Sequence, residues 1–304
     1  MSGMAWRSRW SLRIGLFALV LSGVSTSQLQ AADRVPLRED PADKRVLRVQ
    51  IQVQATGKIF TATTTDKPLG HQMAVDAQFG YFERHLAGTG RDAEALRAVR
   101  DYDIAGAEIK VGDQISSPRL RTTHRLIVAH GQREGVRLHC PTGPLSAAEI
   151  ELLEVAGDSL ALLALLPEEP VEAGDTWKPS DWVLQTLTHL EAVEKTALSC
   201  KLESLADKVA KISFQGSITG ATVGAGLTVQ VDGHLLFDTD LKLITKLELT
   251  QKEQRSIGTV SPGMDVTANV ALTRGLATGS LAAGRLTDDI VALIPLETKP
   301  ADLR

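Results

Sequence analysis

The alternation of apolar and polar residues along the chain predicts a protein built mainly from long β-strands. The first clear case covers eight positions, where polar residues separate Leu47, Val49, Ile51 and Val53. Strict alternation is typical of a strand with one buried face and one wet face. A turn at residues 56–58 and a β-branched run over 59–65 predict a hairpin. Further strands are expected over 72–86, 120–129 and 133–140.

The second half of the chain predicts a meander of similar strands. Glycines between residues 216 and 226 indicate a loop, and Asp238-Thr239-Asp240 indicates a tight turn, because aspartates in such turns usually bond their own backbone. One face of each strand is apolar: Leu198, Cys200 and Leu202; Ala210, Ile212 and Phe214; Leu227, Val229, Val231, Leu235 and Phe237; Leu241, Leu243, Leu247 and Leu249; Val266, Ala268, Val270 and Leu272.

Three segments predict helices. Leu96, Val99 and Tyr102 form a stripe in a short helix expected over 92–104. Ser146 followed by Glu149 is a capping box that predicts a helix start. The run 160–166 is apolar on all sides and ends at Pro167, so it is expected to be a buried helix.

These elements favour an α+β, mainly β fold in which long curved antiparallel sheets pack over a buried apolar helix. We expect an N-terminal β-rich half with its capped helix over 45–167 and a C-terminal antiparallel meander over 168–274. A flexible leader over 33–44 and a tail over 275–304 flank them. The two halves are alike in outline, and we detect no repeat between them at the level of residues.

The first 32 residues have the features of a secretory signal peptide. Arg7, Arg9 and Arg13 precede an apolar stretch over about 14–24, and Ala31 and Ala32 suit cleavage. The stretch is too short to cross a bilayer of ~30 Å as a helix; an uncleaved N-terminal anchor is the alternative. We expect an exported protein, periplasmic or secreted, with no membrane span in its mature chain.

Charge narrows the choice of partners. The formal net charge is −4, and removal of the three signal arginines leaves 30 basic against 37 acidic residues, or −7. This balance argues against nucleic acid and anionic membrane surfaces as partners.

Cys140 and Cys200 are the only cysteines of the chain. Export makes a disulfide between them chemically feasible. The alternative is two buried thiols that behave as small apolar groups.

The sequence offers little that resembles a catalytic or metal-binding motif. His-x-x-x-His, His-x-His and Cys-x-x-Cys spacings are absent, and Gly216-Ser217-Ile218-Thr219-Gly220 places its serine one position early for a nucleophile elbow. Glu83, Arg84 and His85 form a charged cluster that we interpret as a solvated strand end. We therefore predict no catalytic residue, no metal site and no cofactor.

The segment Gly174-Asp175-Thr176-Trp177, with Trp182 five residues later, is the most distinctive part of the sequence. We favour a structural interpretation, in which the tryptophan closes the end of the core and its indole N–H finds a carbonyl. The alternative is the rim of a site for a ligand or partner.

The order of these features resembles that of uncharacterised exported β-rich proteins of planctomycete-type bacteria. The resemblance covers most of the mature chain and rests on short motifs: the Pro-Leu-Ser-x-x-Glu helix start, a Leu-Leu-Pro end, Val-x-x-Gly-Asp-x-Trp, and Gly233 to Asp238 as Gly-x-x-x-Phe-Asp. It implies no activity. In outline the fold is also similar to periplasmic lipoprotein carriers, an analogy of topology alone.

These observations predict a non-enzymatic envelope protein that is either a binding module for an apolar ligand or a scaffold for an envelope protein partner. An unrecognised secreted hydrolase is the alternative. The binding version predicts a cavity lined by apolar residues of the meander and of the apolar run: Leu227, Val229, Val231, Leu235, Leu162 and Leu166.

Overall fold

The computed structural model describes residues 34–62, 67–86, 92–132, 135–188, 190–222, 224–259, 261–278 and 284–295. The predicted signal peptide over 1–32 lies outside the described residues.

The protein is mainly β, and thirteen strands of the described residues form one large antiparallel sheet. The sequence predicted more than one sheet, so the predicted number of sheets is wrong, although the antiparallel arrangement is confirmed. The strand order is β6-β5-β3-β2-β1-β13-β12-β11-β10-β9-β7, with β4 paired to β3 and β8 paired to β10. The strands are β1 (Val46–Thr61), β2 (Leu69–His85), β3 (Arg97–Val111), β4 (Gln114–Ser116), β5 (Leu126–Gln132), β6 (Gly135–His139), β7 (Thr176–Trp177), β8 (Ala192–Thr196), β9 (Ser199–Ala206), β10 (Val209–Thr222), β11 (Ala225–Asp238), β12 (Leu243–Arg255) and β13 (Gly263–Leu276).

Strands β1 and β13 join the two halves of the chain into this single sheet. They pair along fourteen positions, from Leu47 opposite Leu276 to Phe60 opposite Gly263. The predicted meander is confirmed, since β9 to β13 are neighbours in the sheet in the order in which they occur in the sequence.

The turn predicted at residues 56–58 is wrong, because β1 runs straight through Gly57. A Cβ atom at Gly57 would lie 2.2 Å from the carbonyl oxygen of Asp265 on β13. The glycine therefore permits close approach of two backbones within a continuous strand.

The loop predicted at the glycines of 216–226 is much shorter than expected, for a similar reason. β10 continues through Gly216 and Gly220 to Thr222, and the turn to β11 includes Gly224. A Cβ atom at Gly220 would lie 2.0 Å from the carbonyl oxygen of Ala192 on β8.

The helix predicted over 92–104 is also wrong: a 3₁₀ turn at Ala93–Ala95 leads directly into β3. Here β3 is buried on both faces, because its Val99 side belongs to a small apolar cluster with Phe82, Val128 and Leu286. A strand covered on both faces loses the alternation that identifies strands in sequence.

The helices are short. α1 spans Ala147–Leu153 and begins at the predicted capping box, which the structure confirms: Ser146 accepts from the Glu149 amide, and the Glu149 carboxylate accepts from the Ser146 amide. The run 160–166 is buried as predicted, but it forms a 3₁₀ turn at Leu162–Leu165 and not an α-helix. α2 (Asp181–Thr188) and α3 (Asp288–Ala292) complete the set.

The segments predicted as leader and tail both contact the fold where the structure describes them. Leu37 is 1% exposed, and Val35 forms a β-bridge with Val171. In the tail, Leu286 and Ile294 are buried in the same small cluster as Phe82.

Candidate functional site

A groove of about 560 Å³ lies between α1 and the inner face of β1, β2 and β3. Eleven of its fifteen described lining residues are apolar, so it is the candidate site for an apolar ligand. It is lined by Val53, Val75, Ala77, Phe79, Ala107, Ile109, Ser116, Ser117, Pro118, Ala148, Glu151, Leu152, Glu154, Val155 and Ala156.

The floor of the groove follows from the register of three strands. Val53 lies opposite Ala77, and Ala77 lies opposite Ala107. Val75 faces Ile109 one step further along the strands. Directly opposed residues of an antiparallel pair project on the same face, so the three strands present one continuous apolar surface.

The wall of the groove is α1 and the residues after it. Leu152 is buried against the core, whereas Ala148 and Glu151 are exposed at the mouth. Arg121 holds the start of the helix, since its Nε donates to Glu149 Oε1 over 2.7 Å. This hydrogen bond from Arg121 keeps the pKa of Glu149 well below its usual range.

The rim of the groove is polar. Glu151, Glu154, Ser116 and Ser117 are exposed there. The groove thus combines an apolar floor with two carboxylates and two hydroxyls at the opening.

The sequence did not point to this groove. The predicted strands include Val53 and Val75, but alternation does not show which part of an apolar face stays uncovered. No predicted element includes Ala107 or Ile109, although apolar and other residues alternate over 105–111 as they do in a strand.

The six residues predicted to contact a ligand lie elsewhere. The structure brings them together in the main hydrophobic core, where all are buried, and none of them lines the groove: Leu227, Val229, Val231, Leu235, Leu162 and Leu166. Binding at these six positions stays a prediction.

A second notable arrangement is a buried charged network beside the groove strands. Arg100 of β3 donates to Glu83 Oε2 over 2.8 Å and to both oxygens of Asp158 over 2.8 and 2.6 Å. The Ser159 hydroxyl donates to Glu83 Oε2 over 2.6 Å and lies 2.8 Å from the Tyr81 hydroxyl. Glu83 and Arg100 are 0% and 1% exposed.

This network corrects the interpretation of 83–85 as a solvated strand end, since Glu83, Arg84 and His85 are all buried. The inner face of β2 carries Glu83 into the core, where the Arg100 guanidinium compensates its charge and that of Asp158. The sequence could not show this, because Asp158 follows Glu83 by 75 positions and shares Arg100 with it only in the folded chain.

Burial and the neighbouring charges act in opposite directions on these groups. Burial alone would raise the pKa of Glu83, but the Arg100 guanidinium and the His85 side chain outweigh it and hold the pKa well below its usual range. Burial raises the pKa of Tyr102 to about 12 and that of Tyr81 well above its usual value. At neutral pH the Glu83 carboxylate is therefore charged and both phenols are neutral.

Both cysteines are free and buried, so the disulfide alternative is not supported and the alternative of two buried thiols fits the structure. The Cys140 sulfur lies 3.1 Å from the Thr142 hydroxyl oxygen. Burial raises the pKa of Cys200 to about 12.

Trp177 makes the contacts that the structural interpretation predicts, although Trp177 and Trp182 also line a cavity of about 980 Å³, as the alternative of a rim predicts. Its indole N–H donates to the carbonyl of Leu165 over 2.9 Å, and its ring packs against the main core. Trp182 likewise donates to the carbonyl of Gly135, over 3.3 Å.

Two of the described histidines contact neighbouring protein groups. His124 lies beside Thr123, with 2.9 Å between its Nδ1 and the hydroxyl oxygen, and His139 lies near the carbonyl of Pro295. Within the described ranges, no group of three His, Cys, Asp or Glu residues is placed to hold a metal ion. In the same part of the chain, no helix has the length and apolar character needed to cross a membrane.

Comparison with known proteins places the chain in no family: no protein-family model matches it, and no curated protein matches its sequence. The chain is similar to a solved structure described as lipid–protein interactions in lipovitellin, with a TM-score of 0.42 and 8% sequence identity. The match covers 79% of this chain and 26% of that one.

Proposed function

We propose that the protein is an exported, non-enzymatic envelope protein that binds an apolar small molecule in the groove between α1 and strands β1 to β3. The proposal of export is based on the features of residues 1–32. Export and the relationship to exported proteins of planctomycete-type bacteria both stay predictions. The proposal of binding is based on the groove.

The uncovered apolar floor is the observation that supports binding. Val53, Val75 and Ile109 lie on the inner face of the sheet next to residues that are buried in the main core, yet these three are only half-buried. A ligand that covered them would gain about 25 cal/mol per Å² of apolar surface removed from water. The groove volume of about 560 Å³ falls within the roughly 300–1,000 Å³ common for small-molecule sites.

The buried network of Glu83, Arg100, Asp158 and Ser159 supports a non-enzymatic role, because its polar groups bond to one another. Ser159 and Glu83 are wholly buried, the Ser159 hydroxyl donates to Glu83, and Arg100 donates to both. A substrate would have to displace these internal partners to reach either side chain. The groove itself carries carboxylates and hydroxyls at its rim but no histidine, cysteine or lysine among its described lining residues.

Binding of a neutral fluorescent acyl probe to the purified protein, together with native mass spectrometry for co-purified lipid, tests the proposal. Ala148→Trp places a large side chain at the mouth of the groove and is expected to weaken probe binding at least tenfold. Ala147→Trp is the matched control: Ala147 is also exposed in the first turn of α1 but does not line the groove. We expect it to change binding less than twofold.

Two results would contradict the proposal. The first is a wild-type protein that binds no probe and carries no lipid, which would favour the scaffold alternative. The second is an equal effect of the two tryptophan variants, which would place the bound probe outside the groove.

A further inference from the structure

The described residues that line the groove include acidic side chains and no basic ones. Glu151 and Glu154 are the ionisable residues among its described lining residues, and both are exposed at the rim. They are three positions apart in sequence, at the end of α1, and therefore lie on neighbouring parts of the same wall.

The cationic residues that lie closest in sequence to the lining segments are directed away from the groove. Arg119 follows the lining Pro118, but its guanidinium lies over Gly106 on the opposite face of β3, where a Cβ atom would be 2.2 Å from its Nη1. Arg121 is bound to Glu149 and to the carbonyl of Pro144. Strand alternation places Lys110 on the face opposite Ile109.

A bound amphiphile would place its chain on the apolar floor and its head group at the rim, next to the two carboxylates. A negatively charged head group would meet like charges there and no compensating cation. A hydroxyl or ammonium head group would instead donate hydrogen bonds to the carboxylate oxygens.

We infer that the occupant of the groove is a single-chain amphiphile whose head group donates hydrogen bonds and carries no negative charge, so that fatty acids are selected against. This inference rests on the proposed function. The rim is open to solvent, so the discrimination per carboxylate is about fivefold, as expected for unit charges a few ångströms apart in a water-like medium.

Three ligands with the same alkyl chain test the inference: dodecylammonium, the monoglyceride of dodecanoic acid, and dodecanoate. Their affinities are measured at low salt and neutral pH, below the concentrations at which they form micelles. We expect dodecylammonium and the monoglyceride to bind more than tenfold more tightly than dodecanoate.

The double variant Glu151→Gln and Glu154→Gln identifies the source of the discrimination. It is expected to strengthen dodecanoate binding about 25-fold, to weaken dodecylammonium binding, and to leave the monoglyceride within a few-fold of wild type. Glu108→Gln is the control, since Glu108 is exposed on the opposite face of β3 between the lining residues Ala107 and Ile109. Circular dichroism checks that all variants are folded.

The outcomes separate the two proposals. Equal binding of all three ligands would overturn the inference and leave the proposed function intact. Discrimination that persists in the double glutamine variant would also overturn it, because the two glutamates would not be its cause. Failure of all three ligands to bind would remove the proposed function and the inference with it.

Discussion

The Arg100 guanidinium and the Asp158 carboxylate form a pair of parallel hydrogen bonds, of 2.8 and 2.6 Å, between β3 and the segment that follows α1. The Asp158 carboxylate also accepts a hydrogen bond from the backbone amide of Leu160, over 2.9 Å. The pair therefore fixes the start of the buried apolar run against the sheet. Because Glu83 shares the same guanidinium, removal of Arg100 would leave two carboxylates without their cation inside the protein.

Arg100→Leu is expected to lower the free energy of unfolding by about 3–5 kcal/mol, since it leaves two buried carboxylates without their cation. Urea unfolding followed by circular dichroism measures the change. Arg100→Lys keeps the positive charge but loses the bidentate geometry, so we expect an intermediate loss in the free energy of unfolding. This variant provides the comparison if the leucine variant does not fold.

The control for this prediction is Lys208→Ala, which breaks the exposed pair between Lys208 and Asp240. Exposed pairs of this kind contribute little to stability. The prediction is contradicted if Arg100→Leu costs no more than this surface change.

The protein should lose stability in acid in part through Glu83. The folded state holds the pKa of Glu83 well below the value of about 4.3 that a glutamate has in an unfolded chain. As the pH falls through that range, the unfolded chain binds a proton that the folded chain does not, so the free energy of unfolding decreases.

Urea unfolding at a series of pH values from 7 down to 3 measures this slope. Glu83→Gln is expected to reduce the slope below pH 5, whereas Glu108→Gln, at an exposed position of β3, is expected to leave it close to that of wild type. A slope in Glu83→Gln as steep as that of the wild type would show that the carboxylate does not carry the effect.

Gly57→Ala should destabilise the junction of β1 and β13. The added Cβ would lie 2.2 Å from the Asp265 carbonyl oxygen, so the two strands must separate, at a cost of about 1–3 kcal/mol. Gly226→Ala is the matched control, because a Cβ there meets no atom within 4 Å. Thermal unfolding of both variants measures the difference; equal midpoints would contradict the predicted close approach.

The two cysteines should behave as protected thiols. In the native protein Cys200 is expected to react with Ellman's reagent at a negligible rate, because it is buried and its pKa is raised to about 12. In denaturant without reductant, two thiols per chain should titrate. A count of zero thiols under those conditions would show that Cys140 and Cys200 are bridged.

Much of the fold could be predicted because the relevant signals are local. Alternation predicted the first part of β1 and the meander from β9 to β13, and the spacing of Ser146 and Glu149 marked the start of α1. A capping box involves hydrogen bonds between residues three apart, so the sequence contains all of its partners. The prediction of the buried run 160–166 succeeded on burial and failed on helix type, because composition determines what must avoid water but not how the backbone turns.

What the sequence determined by itself is therefore the set of residues that must be buried and the side of each strand on which they lie. Tertiary structure decided which of those apolar surfaces meet and which stay open. The first part of β3 lacks alternation because both its faces are covered there, and Gly57 is part of a strand because β13 passes close beside it. The groove exists because α1 covers the face of Val53, Val75 and Ile109 only in part. Alternation records the direction of each side chain along one strand, but contact between distant segments depends on register and on the placement of whole elements, which no local pattern contains.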